Sequence, residues 1–92
     1  VEASPVQGLH WLHEAANQGH AGAQYNLGVE YYFGERIPKD LKHAFHWFTK
    51  AANQGHDGAQ YNLGYQYFFG LGVLRDLQKA LDYFQRSAQQ GN

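Results

Sequence analysis

The sequence predicts an all-α fold, an α/α solenoid of about five helices stacked in a linear array. Three observations support this prediction: an internal repeat, apolar residues at helical spacing, and the lack of an alternating strand pattern. Residues 51–64 repeat residues 15–28 after 36 positions, and they differ only where Asp57 replaces Ala21. A fixed period of this length is typical of repeat arrays, in which each unit buries its apolar face against the next.

Length and composition limit the chain to one domain and exclude several classes of function. The array covers residues 1–92, and the period divides it into a half unit, 1–20, and two full units, 21–56 and 57–92. A net charge of −1 gives no general attraction to nucleic acid or to an anionic membrane. There is no cysteine and no apolar run long enough to span a bilayer. Because the chain begins with Val1 and shows no signal peptide, we expect it to be a piece of a longer protein.

The first two helices are predicted by a capping pair and by apolar residues three and four positions apart. Ser4 and Pro5 suit an N-cap and a first helical turn, and Gly19 ends that helix. The second helix is expected over about 21–33, and it is apolar on nearly all sides, which indicates burial on more than one side. The predicted core faces comprise Leu9, Leu12, Ala15, Ala16, Ala23, Leu27 and Tyr31.

Two glycines inside helices indicate close helix packing. Gly28 recurs as Gly64, although a glycine within a helix costs about 1 kcal/mol relative to alanine. We therefore expect a neighbouring helix to approach closely at both positions.

The remaining helices follow from amphipathic spacing and from acidic N-cap residues. Asp40 and Asp76 are candidate caps for helices over 41–54 and 76–89, and a helix over 59–69 lies between them. His20 and His56 are expected to act as caps or turn residues at the starts of the second and fourth helices. The buried face of the third helix is predicted to contain Leu41, Ala44, Phe45, Phe48, Ala51 and Ala52.

The order of these residues resembles the Sel1-like repeat, a relative of the tetratricopeptide repeat with slightly longer units. A second copy of the pattern runs from Ala59 to Gly91, and the departures are Arg36 in place of a loop glycine and Ser87 in place of an alanine. The first copy is carried by Ala23, Leu27, Gly28, Tyr31, Gly34, Ile37, Asp40, Ala44, Trp47, Phe48, Ala51, Ala52, Gln54 and Gly55.

The resemblance implies antiparallel helix pairs stacked into a right-handed superhelix, and a non-catalytic role as a protein–protein interaction scaffold. It also implies a bacterial or eukaryotic adaptor setting, and for a bacterial chain both cytoplasm and periplasm stay open. In related repeats, one side of the first helix of each pair lines a concave groove. In this sequence that side is expected to form an aromatic strip of Tyr25, Val29, Tyr32, Tyr61, Tyr65 and Phe68.

The aromatic strip has two interpretations at this stage. It is either a groove in which rigid aromatic anchors hold a peptide or helix, or a surface packed between repeats. Phe33 and Phe69, at the helix ends, are expected to pack internally.

Metal binding, catalysis and RNA binding have little support. His10, His13, His43 and His46 form two pairs on the predicted solvent face, but a structural zinc site needs four ligands, so we expect surface histidines, no metal and no cofactor. Ser4, Thr49 and Ser87 lack catalytic neighbours, so no enzyme activity is expected. Single-stranded RNA binding ranks below protein binding, because the basic residues are expected away from the aromatic strip.

The sequence therefore predicts a protein–protein interaction module, with a structural spacer or self-association segment as the alternative. We expect both ends of the array to be open, because within residues 1–92 no helix precedes the first one and the last pair ends soon after Tyr83 and Phe84. We expect concentration-dependent association through these open ends, or a protein partner along the aromatic strip.

Overall fold

A computed structural model of the chain describes residues 5–91, and these residues form five α-helices with no strand among them. The helices are α1 (Pro5–Asn17), α2 (Ala21–Phe33), α3 (Leu41–Asn53), α4 (Asp57–Phe69) and α5 (Leu77–Gly91). The all-α prediction is confirmed. The first helix ends two residues before Gly19, and α4 begins two residues earlier than predicted. The cap proposed for Ser4 lies outside the described residues.

Short connections join helices that pack side by side, so consecutive helices run antiparallel. The extensive contacts are between chain neighbours: α1 with α2, α2 with α3, α3 with α4, and α4 with α5. Gly34 and Gly70 end α2 and α4 in the left-handed conformation, with φ of 68° and 69°. Their N–H groups donate to the carbonyls of Glu30 and Gln66, and this geometry favours glycine at the helix C-terminus.

The predicted caps are present at α3, α4 and α5. The Asp40 carboxylate accepts from the backbone N–H groups of Lys42 and His43, both at 3.1 Å. The hydrogen bond from the His43 N–H lowers the pKa of Asp40. Asp76 accepts from the Lys79 N–H, and His56 accepts from the Ala59 N–H through Nδ1. His20 occupies the N-cap position of α2 without a side-chain hydrogen bond.

The core lies between the helices at the predicted apolar faces. Leu27, Phe48 and Leu63 are fully buried, and Leu12 packs beside Leu27. A Cβ atom at Gly28 would lie 2.6 Å from two Phe48 ring carbons, so the close approach expected at that glycine is present. Gly64 faces Phe84 in the same way, at 2.5 Å and 2.6 Å.

A set of glutamines links helices within and between repeats, and we call Gln24, Gln54, Gln60 and Gln90 the glutamine ladder. Gln54 donates to the side-chain oxygen of Gln24 at 2.9 Å, and Gln90 donates to that of Gln60 at 2.7 Å. Gln24 and Gln60 are 4% exposed, and each donates to a backbone carbonyl of the preceding helix, Ala16 and Ala52. These bonds satisfy polar groups that would otherwise be costly to bury.

The described residues form an elongated body of 46 × 25 × 20 Å. None of its five helices combines the length and the apolarity needed to cross a bilayer.

Candidate partner-binding surface

The aromatic strip divides into two parts that differ in burial. The part on α2, Tyr25, Val29 and Tyr32, is half-buried and packs against the core cluster around Phe48. Tyr25 and Tyr32 lie with ring centroids 5.8 Å and 6.3 Å from that of Phe48. These three residues therefore contribute to the packing of the array.

The part on α4 is exposed and surrounds a cavity. Tyr61 is 48% exposed, and Tyr65 and Phe68 are each 38% exposed. Together with Phe69 and Phe84 they line an open cavity of about 310 Å³, which we call the aromatic cavity. The Tyr61 and Tyr65 rings rest on Phe84, with centroid distances of 5.6 Å and 5.9 Å.

The two parts differ because the start of α4 covers Tyr25. The His56 ring, at the start of α4, stacks on Tyr25 with a centroid distance of 4.6 Å. A Cβ atom at Gly58 would lie 3.2 Å from the Tyr25 ring, so a larger residue there would press on Tyr25. Among the described residues no helix covers Tyr61 in the corresponding way, and its ring remains open to solvent.

A second cavity of about 270 Å³ lies between α2 and α4. It is lined by Tyr32, Phe33, Tyr61, Asn62 and Tyr65, so it shares two tyrosines with the aromatic cavity. The exposed aromatic surface is thus continuous from the end of α2 to α5.

The prediction that Phe33 and Phe69 pack internally is wrong. They are 62% and 57% exposed. Both are the last residues of their helices, immediately before the left-handed glycine, where no following turn covers the side chain. Each packs only sideways, Phe33 on Tyr32 and Phe69 on Phe68 and Tyr65. They therefore add to the exposed surface.

The expectation that basic residues lie away from the aromatic strip is also wrong, at one position. The loop before α5 folds back along the end of α4, so that Arg75 Nε donates to the Phe68 carbonyl at 2.9 Å. Its guanidinium carbon lies 6.0 Å from the centroid of the Phe68 ring. A positive charge therefore lies beside Phe68, one of the residues that line the aromatic cavity.

The tyrosine hydroxyls give the surface a polar edge. A hydrogen bond with Tyr65 raises the pKa of the Tyr61 hydroxyl, and loss of hydration adds to this effect. The Tyr61 hydroxyl therefore stays neutral at physiological pH and can donate or accept hydrogen bonds.

The sequence model of the Sel1 repeat matches residues 1–20, 21–56 and 58–92. The chain belongs to the Sel1 repeat family. Sel1-like repeat proteins generally mediate protein–protein interactions, and the family generally acts as a non-catalytic scaffold. No curated protein sequence matches the chain.

Solved bacterial structures share this Sel1 architecture. A protective antigen of uropathogenic Escherichia coli, c5321, is 41% identical, with a TM-score of 0.90 over 94% of this chain and 18% of its own. A Sel1 repeat protein from Oxalobacter formigenes is 38% identical, with a TM-score of 0.87 over 90% of this chain and 34% of its own. Helicobacter pylori cysteine rich protein B has the same fold at 23% identity, with a TM-score of 0.91 over 98% of this chain and 68% of its own. The chain thus spans about a fifth and a third of the first two proteins.

Three histidines of the Sel1 array lie around a separate cavity of about 510 Å³ between α1 and α3. Its lining comprises His13, Tyr31, Lys42, His43, His46 and Trp47. Within residues 5–91, no three His, Asp or Glu side chains are grouped closely enough to hold a metal ion.

His13 departs from the solvent-facing position predicted for it. It is half-buried, and its ring nitrogens lie 2.9 Å from the Leu9 carbonyl and 3.4 Å from the Tyr31 hydroxyl. This happens because α1 packs along α2, which brings Tyr31 over the ring. His43 is exposed as predicted, and its Nδ1 lies 2.7 Å from the Asp40 carboxylate.

Two hydroxyl groups considered as nucleophiles form structural hydrogen bonds in the Sel1 array. Thr49 donates to the Phe45 carbonyl at 2.7 Å, one turn earlier in α3. Ser87 donates to the Asp57 carbonyl at 3.0 Å and so ties α5 to the start of α4. The remaining hydroxyl considered, that of Ser4, lies outside the described residues.

Proposed function

We propose that the chain is a protein–protein interaction module that binds a peptide or helix along the aromatic strip, with the aromatic cavity as its main anchoring point. The observation that supports this proposal most strongly is the exposure of Tyr61, Tyr65 and Phe68 around a single cavity. Continuous exposed apolar surface on a small protein often marks a partner site. Aromatic side chains supply much of the binding energy at such sites, because their large rigid surfaces lose little conformational entropy on binding.

The two parts of the aromatic strip take different roles in this proposal. Tyr61, Tyr65 and Phe68 contact the partner directly. Tyr25, Val29 and Tyr32 hold α2 against α3 and present only their outer edges to a bound segment. The cavity between α2 and α4 extends the binding surface from one part of the strip to the other.

Selection of short random peptides displayed on phage, with the immobilised chain as target, tests this proposal. We expect peptides with large apolar residues to be enriched and to bind saturably when labelled and titrated by fluorescence anisotropy. Tyr65→Ser should weaken their binding by about tenfold or more, because it removes a wall shared by both cavities. Circular dichroism should show unchanged helix content for this variant, since Tyr65 is exposed.

The control for Tyr65→Ser is Trp11→Ser. Trp11 is 67% exposed on α1 and lines neither the aromatic cavity nor the cavity between α2 and α4. Its loss therefore removes a comparable exposed aromatic surface elsewhere on the chain. Tyr25→Ser should lower the melting temperature instead, because this ring packs on Phe48 and His56. If no peptide is enriched, or if Trp11→Ser weakens binding as much as Tyr65→Ser, the binding proposal is wrong.

Self-association is the second candidate function, and exposed leucines near α5 favour it. Leu74 is 89% exposed, and Leu77 and Leu81 are 45% and 54% exposed. We expect sedimentation over a wide concentration range to show dimers or larger species, and Leu77→Glu with Leu81→Glu should shift them toward monomer. If the wild-type chain stays monomeric at every concentration, the self-association proposal is wrong.

A further inference from the structure

We propose that the segment bound at the aromatic cavity carries an acidic side chain beside its apolar anchor, and that Arg75 binds this carboxylate. The inference rests on the proposed function and specifies the chemistry of the partner. It starts from the position of Arg75 beside Phe68, where its Nε–H donates to the Phe68 carbonyl and its guanidinium lies near the Phe68 ring.

Arg75 is held in a position suited to carboxylate binding. A guanidinium has five N–H donors, and the Phe68 carbonyl accepts from one of them. Among the described residues the ion pairs are Glu30 with Arg36 and Asp40 with His43, so neither includes Arg75. The terminal nitrogens can therefore form the paired hydrogen bonds that a carboxylate prefers. Because the backbone contact already orders the side chain, binding loses less conformational entropy.

The charges beside Arg75 favour an acidic ligand over a basic one, since Arg75 shares a neighbouring cavity with Lys79 and Asp76. Residues 73–86 contain three basic residues, Arg75, Lys79 and Arg86, and two acidic ones, Asp76 and Asp82. Asp76 already accepts the Lys79 N–H at the start of α5. A basic ligand side chain beside Phe68 would meet Arg75 at close range, and this repulsion between like charges would disfavour such a partner.

The volume of the aromatic cavity limits the size of the apolar side chain that a ligand can insert. A volume of about 310 Å³ lies at the lower end for small-ligand pockets, so it accommodates one large apolar side chain. The Arg75 contact with Phe68, which lines the same cavity, places the carboxylate within a few residues of that anchor. The expected motif is thus a large apolar residue with Asp or Glu close to it in sequence.

Nucleic acid fits these observations less well than an acidic peptide. Single-stranded binding combines base stacking with several phosphate contacts along the strand. Arg75 is the basic side chain that contacts a residue of the aromatic cavity within the described chain, and the net charge of the whole chain is −1. One cation can pair with one carboxylate, but it cannot follow a polyphosphate backbone.

Parallel phage selections on the wild-type chain, Arg75→Gln and Arg75→Glu test the inference. The wild type should enrich Asp or Glu near an apolar residue, whereas Arg75→Gln should keep the apolar residue and lose the acidic preference. Arg75→Glu should enrich Lys or Arg at the same position. For a wild-type-selected peptide, Asp→Asn should weaken binding about three- to tenfold, and it should have no effect on binding to Arg75→Gln.

The control for charge is Arg86→Glu, because Arg86 also lies over an aromatic ring, that of Tyr83, but this ring does not line the aromatic cavity. Its selected peptides should match those of the wild type. Enrichment of apolar residues without acidic ones would overturn this inference and leave the proposed function standing, whereas no enrichment at all would overturn both. Tighter binding of a fluorescein-labelled oligouridine than of any selected peptide would also overturn it.

Discussion

Gly64→Leu is expected to destabilise the array by at least about 1–3 kcal/mol, which is the usual cost of inserting atoms into a packed contact. A Cβ atom at this position would already lie 2.5–3.1 Å from three atoms of the Phe84 ring. Leucine adds three further carbons in the same direction, so α5 must move away from α4 or the Phe84 ring must swing outward. Urea denaturation followed by circular dichroism measures the loss, and the same change at Gly28 should cost more because Phe48 is fully buried.

Gly22→Leu provides the matched control. Gly22 lies in α2 like Gly28, but a Cβ atom there meets nothing within 4 Å. This variant should be as stable as the wild type or slightly more stable, because leucine has the higher helix propensity. A Gly64→Leu melting temperature within a degree or two of that of Gly22→Leu would reject close packing at Gly64.

Phe48→Ala is expected to lower the free energy of unfolding by about 3–5 kcal/mol, the range for emptying a large aromatic site in a core. Phe48 is fully buried, and Tyr25 and Tyr32 both pack on its ring. The cavity left behind would therefore loosen α2 and α3 together. For a chain of this size such a loss is a large part of the total stability.

Phe84→Ala is the internal comparison, since residue 84 occupies the same repeat position 36 residues later. Phe84 is half-buried and forms the floor of the aromatic cavity. Its removal should cost less stability than Phe48→Ala, while it weakens peptide binding. Equal destabilisation by the two substitutions, measured by urea denaturation, would contradict the difference in burial between the repeats.

Much of the fold could be predicted because the same local pattern occurs twice. The bounds of α2 agree with prediction, since Gly34 ends the helix with a left-handed turn that the sequence marks clearly. Gly28 and Gly64 indicated close packing because a costly residue recurred. The helix ends depend on neighbours within one or two turns, which sequence spacing describes well, whereas the glycine contacts with Phe48 and Phe84 were indicated by recurrence alone.

The candidate surface was less predictable, because it depends on contacts between distant residues. Helical spacing placed Tyr25 and Tyr61 on equivalent faces, but it could not show that His56 and Gly58 would cover only the first. The position of Arg75 depends on the path of a loop, and no periodic pattern describes that path. His13 lies under Tyr31 because two helices cross there.

The glutamine ladder was missed although a signal for it exists. Gln24 recurs as Gln60 and Gln54 recurs as Gln90, each after 36 residues. Recurrence of a polar residue on an otherwise apolar helix indicates a buried hydrogen bond, whereas polarity alone suggests a solvated position.

The neighbour-to-neighbour packing of the five helices also determines how the chain gains and loses its structure. Because extensive contacts join only consecutive helices, the chain closes short loops during folding, and such low contact order is associated with rapid folding. Opening can begin at either end without breaking the middle, so amide hydrogens should exchange first in α1 and α5 and last in α3 and α4. The bonds from Gln24 to the Ala16 carbonyl and from Gln60 to the Ala52 carbonyl couple one unit to the next, and they set how far such fraying spreads before the whole array unfolds.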